Sequence, residues 1–189
     1  KAFAELLMAF AMFRKKVPNA YLYIHTEPTG VFGGFHLPRL AQACGLPMDA
    51  VLFPNPIDYR YGFERKDLSA IYTAADVVMQ VSYGGGYELP IMEAQACGTR
   101  VISINWSGPK DLVADDGWLV GGQIFWDEAQ LAWFKIPSIA GILKALEESY
   151  DETQAKGSHS EIAREFAKQF DAEKVWLEKW IPFLKEHLA

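Results

Sequence analysis

An α/β fold, a parallel sheet with helices on both faces, is predicted by the alternation of strand-like and helix-like segments along this chain. Two local observations support it. The run Val77–Val81 is β-branched at three of its five positions and has the length of a strand buried on both faces. Directly after it, Gly84, Gly85 and Gly86 make a turn into a helix expected over Leu89–Cys97, with Pro90 in its first turn and Gly98 past its end. The 189 residues, half of them hydrophobic, are enough for one domain with a sizeable core.

The remaining elements follow from periodicity and breakers. Phe3, Leu6, Leu7, Phe10 and Phe13 recur at three- and four-residue steps, which predicts an amphipathic helix over Ala2–Lys16 closed by basic residues. A strand is expected at Tyr21–His25, then a loop over residues 26–35, a helix over His36–Cys44 ended by Gly45, and a strand at Val51–Phe53 closed by Pro54-Asn55-Pro56. An irregular aromatic stretch follows, and Asp67 is expected to cap the helix that feeds Val77–Val81. Beyond the glycine turn come a strand over Arg100–Ile104, a short helix opened by Ser107-Gly108-Pro109, and a strand over Gly117–Val120. Residues 123–137, with Phe125, Trp126, Trp133 and Phe134, read as an aromatic loop that packs on its own domain, with an acceptor or partner surface as the alternative. Helices are expected over Ile139–Tyr150, Ser160–Phe170 and Ala172–Leu188, with a polar break at Asp151–His159. The last carries Trp176, Trp180, Phe183, Leu184 and Leu188 on one stripe.

Charge and composition narrow the function classes. A net charge of −6 and a pI near 5.2 argue against a nucleic-acid binder that works by neutralising phosphates. Cys44 and Cys97 lack metal-ligand spacing and read as reduced core thiols in a cytoplasmic protein. His25, His36, His159 and His187 are scattered, so no metal site is expected. No apolar run reaches membrane-span length and no signal peptide is recognisable, while the start inside a helical pattern, without Met, points to a fragment.

The glycine turn and its helix read as a ligand cradle. Free N–H groups at a helix N-terminus behind a glycine loop favour anionic groups such as phosphate. Glu93, a carboxylate among Ile91, Met92, Ala94 and Ala96, can accept hydrogen bonds from neutral hydroxyls such as those of a ribose. In an open parallel sheet the ligand edge lies beyond the strand carboxyl ends, so Thr26, Asn55, Ser82–Glu88 and Asn105–Ser107 are expected to share it.

The segment GYELPIMEAQACGTRVI, Gly86–Ile102, resembles the signature of family-4 (group 1) retaining glycosyltransferases of the GT-B fold, E-G-F-G-L-P-x-x-E-A-x-A-C-G-x-P-V-I. The resemblance implies a Rossmann-like domain spanning residues 1–189, the C-terminal, donor-binding half of such an enzyme, with residues 171–189 a closing helix against an N-terminal domain. It implies nucleotide-sugar binding by Lys1, Gly86, Tyr87, Glu88, Leu89 and Glu93, with Glu93 on the ribose and Lys1 on the diphosphate; Asn55 falls in the loop that lines the base pocket. The donor, UDP-, GDP- or ADP-linked, is a substrate, and no metal or other cofactor is implied. One position departs from the pattern. The first glutamate of the E-x7-E pair is Gly85, and Glu88, where the family has glycine, is the candidate substitute carboxylate, so the catalytic residue stays open.

Isolated from its N-terminal half, the fragment is expected to transfer nothing. The alternatives are a catalytically degenerate nucleotide-binding or structural domain, or another GT-B enzyme such as a sugar-nucleotide epimerase. Peripheral association with a membrane through the last helix is the remaining partner reading, and Glu173, Glu178 and Glu186 speak against it.

Overall fold

A computed structural model describes residues 1–31 and 34–188; of the expected 26–35 loop, Phe32 and Gly33 lie outside the described residues, as does Ala189 at the chain end. The α/β prediction holds: parallel strands are flanked by helices. Helix α1 (Phe3–Lys16) leads into β1 (Leu22–Tyr23), α2 (Leu37–Ala43) and β2 (Val51–Leu52), followed by α3 (Pro56–Tyr61) and α4 (Arg65–Ala74). Strand β3 (Val78–Gln80), helix α5 (Leu89–Ala96), β4 (Val101–Ile104) and β5 (Trp118–Val120) form the centre. A hairpin of β6 (Gly122–Asp127) and β7 (Ala132–Pro137) precedes α6 (Ile139–Lys156) and α7 (Glu161–Lys168).

The parallel strands fall into two hydrogen-bonded ladders over one shared core. β1 pairs with β2 in the register Leu22↔Val51, and β3, β4 and β5 pair in that order through Met79↔Ile102 and Ile102↔Trp118. Leu22, Val51, Val81, Ile102 and Val120 contribute to the same apolar cluster. All four residues of β4 are buried, whereas β3 is only half-buried. The both-face burial expected of Val77–Val81 therefore belongs to β4, because β3 has a ladder partner on one side only.

Helix α1 buries Leu6, Leu7, Phe10 and Phe13, matching the predicted stripe, and packs on Ile142, Ala145 and Leu146 of α6. Phe13 meets Tyr150 edge-on at 6.1 Å. Fully burying each such side chain stabilises the fold by about 1.5–3 kcal/mol, so the first and sixth helices clamp the two ladders together. A second cluster joins Ile91, Met92 and Ala94 of α5 to Val101 and Leu112, with Phe166 and Ala167 of α7 against it. Within it the amide of Gln95, 1% exposed, donates to Leu112 O at 2.8 Å and accepts from Ala114 N at 2.7 Å. Those two bonds fix the helix behind the glycine loop.

Several local expectations are corrected. The aromatic stretch after Pro54 is the helix α3, started by Pro56 and capped by Asn55, whose Oδ1 accepts from Ile57 N. Helix α4 starts at Arg65 behind Glu64, and Asp67 sits in its first turn instead of capping it. The polar residues 151–156 continue α6 as a solvated face, and the helix stops at Gly157, where φ is +83°. Residues 122–137 form a hairpin, not a loop: the strands pair as Phe125↔Phe134 and Trp126↔Trp133. The last helix, by contrast, is helical without a break from Ala172 to His187, as expected, with one π turn inside it. Helix α8 (Ala172–Val175) and α9 (Ile181–His187) flank a π turn at Trp176–Trp180, and Trp176, Trp180 and Phe183 are each about half exposed. Among the described residues no helix is long and apolar enough to cross a membrane.

One buried ion pair ties the sheet to the carboxyl-terminal helices. Arg100, at the start of β4, donates from Nε to Asp116 at 3.1 Å and from Nη1 to Gly157 O at 2.9 Å, and Ser160 Oγ also donates to Asp116. Truncating one member strands the other charge in the interior. Arg100→Ala is expected to lower the unfolding free energy by about 3–5 kcal/mol, read as a shift of the urea midpoint at constant slope.

Candidate functional site

The site is built where β3 runs out. Ser82, which begins the segment, is buried, and Tyr83 behind it is pinned to helix α1 by a hydrogen bond from its phenol to Glu5 at 3.2 Å. The glycine segment then turns over the carboxyl end of β4. Gly85 O accepts from Ser107 Oγ at 2.8 Å and from Gly108 N at 3.1 Å. The two backbones lie so close that a Cβ on Gly108 would sit 2.1 Å from Gly86 O. Ser107 carries φ 55° and ψ −151°, a conformation essentially reserved for glycine, which costs of order 1–3 kcal/mol where another residue adopts it. The 107–108 turn therefore acts as a rigid seat for the glycine loop.

On that loop lies a carboxylate. Glu88 Oε2 accepts from Lys1 Nζ at 2.8 Å and from Gln80 Nε2 at 2.7 Å, and the Glu88 side chain is 16% exposed. Its other oxygen, Oε1, occupies the place where a side chain on Gly85 would begin, 2.3 Å from the position of an added Cβ. Glu88 is the residue before α5, yet its side chain does not cap the helix. Lys1, Gln80, Gly85 and Glu88 form one cluster, and Gln80 is the member that the sequence reading did not include.

The second carboxylate, Glu93, lies further along on α5. Glu93 is exposed on α5, and its Oε2 accepts from the Tyr72 phenol at 2.8 Å. Tyr72 is held from behind by Thr99, whose hydroxyl donates to the Tyr72 carbonyl at 2.7 Å. Burial, reinforced by the neighbouring Glu93 carboxylate, pushes the phenol well above its ordinary value, so Tyr72 stays a hydrogen-bond donor at physiological pH. Among the described residues nothing hydrogen-bonds to Glu93 Oε1, which leaves that oxygen for an external donor. The outward face of α5 offers an acceptor while its inward face is locked by Ile91 and Gln95.

The other predicted residues are distributed along the same edge. Tyr87 and Leu89 are more than half exposed, and Tyr87 packs against Phe170 with ring centres 6.2 Å apart. Asn55 is exposed beyond β2, but its side-chain oxygen is committed to capping α3. Beside it lies a cluster that the sequence reading missed. His25, beyond β1, receives or shares a proton with Tyr23 Oη at 2.9 Å and packs edge-on against Phe63 and Tyr59 at 5.0 and 5.5 Å. Burial lowers the imidazole's affinity for protons, keeping it neutral at pH 7. The available signal was the position of His25 at a strand end together with the aromatic density of residues 59–63.

Parallel strands, a seated glycine loop after β3 and a short helix behind it make a Rossmann-like α/β domain flanked by helices. The chain belongs to the family described as Glycosyl transferases group 1, whose model matches residues 1–132. It is 37% identical over 121 residues to D-inositol 3-phosphate glycosyltransferase 2 of Catenulispora acidiphila, an alignment that takes in 63% of this chain and 24% of that protein. The chain thus spans about a quarter of that relative's length. Its fold matches sucrose-phosphate synthase of Thermosynechococcus elongatus with a TM-score of 0.71 and 23% identity, over 98% of this chain and 42% of that one. It also matches the C-terminal domain of a glycosyl transferase group 1 family protein from Francisella tularensis, with a TM-score of 0.64 and 19% identity over 90% and 79% of the two chains.

The seating of the loop separates two glycines that look alike in sequence. Gly108→Ala drives a methyl into backbone and is expected to cost about 1–3 kcal/mol, whereas a Cβ on Gly86 meets nothing within 4 Å and Gly86→Ala should stay within about 0.5 kcal/mol. Paired urea titrations check the contrast.

Proposed function

We propose that this chain is the donor-binding half of a family-4 retaining glycosyltransferase that moves a sugar from a nucleotide-sugar to an acceptor. The observation that carries the reading is Glu88. Its carboxylate lies over Gly85, the position where the family pattern has glutamate, so a carboxylate is delivered to that place from three residues further along. Gln80 and Lys1 orient it. In the transfer the bond between the anomeric carbon and the diphosphate oxygen breaks while the acceptor hydroxyl oxygen bonds to that carbon and its proton passes to the departing diphosphate, on which negative charge grows as the bond breaks. Lys1 and the N-terminus of α5 would stabilise that charge without a metal, and Glu93, steadied by Tyr72, would hold the ribose hydroxyls. Entry of a diphosphate would draw Lys1 away from Glu88 and free that carboxylate to accept hydroxyls of the donor sugar.

On this reading the exposed stripe of Trp176, Trp180 and Phe183 packs on an N-terminal domain, which supplies the acceptor side of the cleft. The protein works in the cytoplasm, and the closing helix touches protein in preference to membrane. One observation favours a second reading, a nucleotide-binding module without catalysis: Lys1 is already neutralised by Glu88. Formation of a new glycosidic bond by the full-length protein separates the two.

The donor site is tested on the chain itself by calorimetry with UDP, GDP and ADP. One nucleotide is expected to bind saturably, and Glu93→Ala should weaken it by about 1–3 kcal/mol, the cost of losing a hydrogen-bonding charged group. Nucleotide binding that Glu93→Ala leaves unchanged would remove Glu93 from the site.

A further inference from the structure

The β6–β7 hairpin has one edge that the domain uses and one that it leaves. Lys135 N donates to Tyr83 O at 2.8 Å, and Trp133 O accepts from Trp106 Nε1 at 3.1 Å. The outward groups of β7 are thus bonded to the segments that follow β3 and β4. In an antiparallel ladder, residue pairs that bond each other alternate with pairs whose N–H and C=O groups point away from each other. Because Trp133 and Lys135 point outward, their ladder partners Trp126 and Ile124 point outward on the opposite side. Among the described residues β6 pairs with β7 alone, and no backbone hydrogen bond reaches the outward groups of Ile124 and Trp126. Strand β6 is an open edge, with β7 standing between it and the donor loop.

An edge of this kind is normally guarded. Proteins blunt free strands with lysine, proline, a bulge or very short length, because unpaired N–H and C=O groups template pairing with another chain. None of these guards β6. It runs six residues, Gly122–Asp127, without lysine or proline, and its register with β7 advances one residue at a time, so no bulge turns it aside. The acidic residues at its end are taken up by the hairpin's own tip. Asp127 Oδ1 accepts from Gln130 N at 2.8 Å, and Glu128 Oε2 accepts from the Trp126 indole at 2.7 Å. Phe125 turns inward to Tyr83, with ring centres 6.0 Å apart. On the opposite face Ile124 is 51% exposed and Trp126 44%, with Trp133 beside them at 55%. Gln123, on the inward face, is exposed as well, so the body of the domain stops short of this edge.

The spacing of the free groups selects a partner. They recur at every second residue, and a strand that satisfies them has to offer its own at the same interval on an uncharged stretch. A second β6 does so when the two strands run antiparallel about a two-fold axis at Phe125. Ile124 then lies opposite Trp126 of the second copy, and every outward N–H and C=O of both residues is bonded. The apolar faces join across the seam in the order Trp133, Trp126, Ile124, an aromatic and β-branched row of the kind that stabilises cross-strand contacts. Asp127 falls opposite Gln123, a carboxylate facing an amide donor, so no like charges meet although each chain carries a net −6. We propose that β6 pairs with β6 of a second copy of this chain, joining two hairpins into one continuous antiparallel sheet with an isologous two-fold contact. The contact is independent of the donor reading and leaves the glycine loop open.

Sedimentation velocity on the full-length protein, with the 189-residue chain alongside, tests the pairing. Both are expected to dimerise with a Kd of about 10 μM or below. Ile124→Lys sets an ammonium on the solvent face of the seam and should weaken the dimer about tenfold or more, with near-ultraviolet circular dichroism confirming the fold. Exchanges at Gln123 read the register, since each places a charge opposite Asp127 of the other copy. Gln123→Lys should tighten the dimer about threefold and Gln123→Glu loosen it by about as much. A full-length protein that stays monomeric to about 100 μM overturns the proposal. So does a dimer of the 189-residue chain that the full-length protein lacks, which assigns the edge to a strand of the remaining polypeptide. A dimer indifferent to Ile124→Lys, or to both exchanges at Gln123, is built on another surface and overturns it equally.

Discussion

Gly85 O is the tie point of the site. Two donors from the next strand end, the Ser107 hydroxyl and the Gly108 amide, converge on it and leave no room for a side chain at Gly108. Because the loop is fixed from that side, everything mounted on it has a defined place. Glu88 is laid across Gly85, with Lys1 and Gln80 as its partners. Strand β7 of the hairpin is fastened to the same region, Lys135 N donating to Tyr83 O and Trp106 Nε1 to Trp133 O. Loosening the tie would release the Glu88 cluster.

Helix α5 shows how stability and function are divided on one short element. Its inner face carries Ile91 and Gln95 in the core, with Gln95 satisfying two backbone groups of the following turn. Its outer face carries Glu93, and Tyr72 consumes one oxygen of that carboxylate. Such an arrangement restricts the rotamers of Glu93, so under the proposed function less entropy would be lost when a ligand binds. The Lys1–Glu88 pair works in the opposite sense. A partly exposed ion pair contributes only about 0–1 kcal/mol, and under the proposed function a diphosphate carrying more than one charge would be a stronger partner for Lys1. The pair holds Glu88 in place and, on that proposal, would yield cheaply to the ligand.

Much of this architecture was legible in the sequence because it rests on local signals. The α1 stripe and the Pro90 and Gly98 limits of α5 are statements about neighbours in the chain. The parallel α/β architecture followed from the alternation of strands and helices. What escaped depends on contacts between distant residues. The sequence offers Glu88 as the substitute for the carboxylate missing at Gly85, but not how it is held there, since its partners are at positions 1 and 80. The hairpin was hidden because residues 123–137 mix aromatic and polar residues without a Gly or Asn turn, and Leu131 adopts a positive φ of 48° to make the return. The continuation of α6 through residues 151–156 was masked by polarity, which a solvated helix face and a disordered break share.

The account stands on Glu88 supplying the carboxylate that position 85 lacks, and relocating the charge tests it most directly. Turnover of the full-length protein would be compared for Glu88→Gln, and for Glu88→Gly combined with Gly85→Glu, using the nucleotide-sugar whose base the titration selects. Loss of kcat by about 10²-fold in the single variant, with recovery to within about tenfold of the parent in the double variant, is the expected result. Undiminished turnover by Glu88→Gln would contradict it, since a neutral amide lying over Gly85 would then serve as well as the carboxylate.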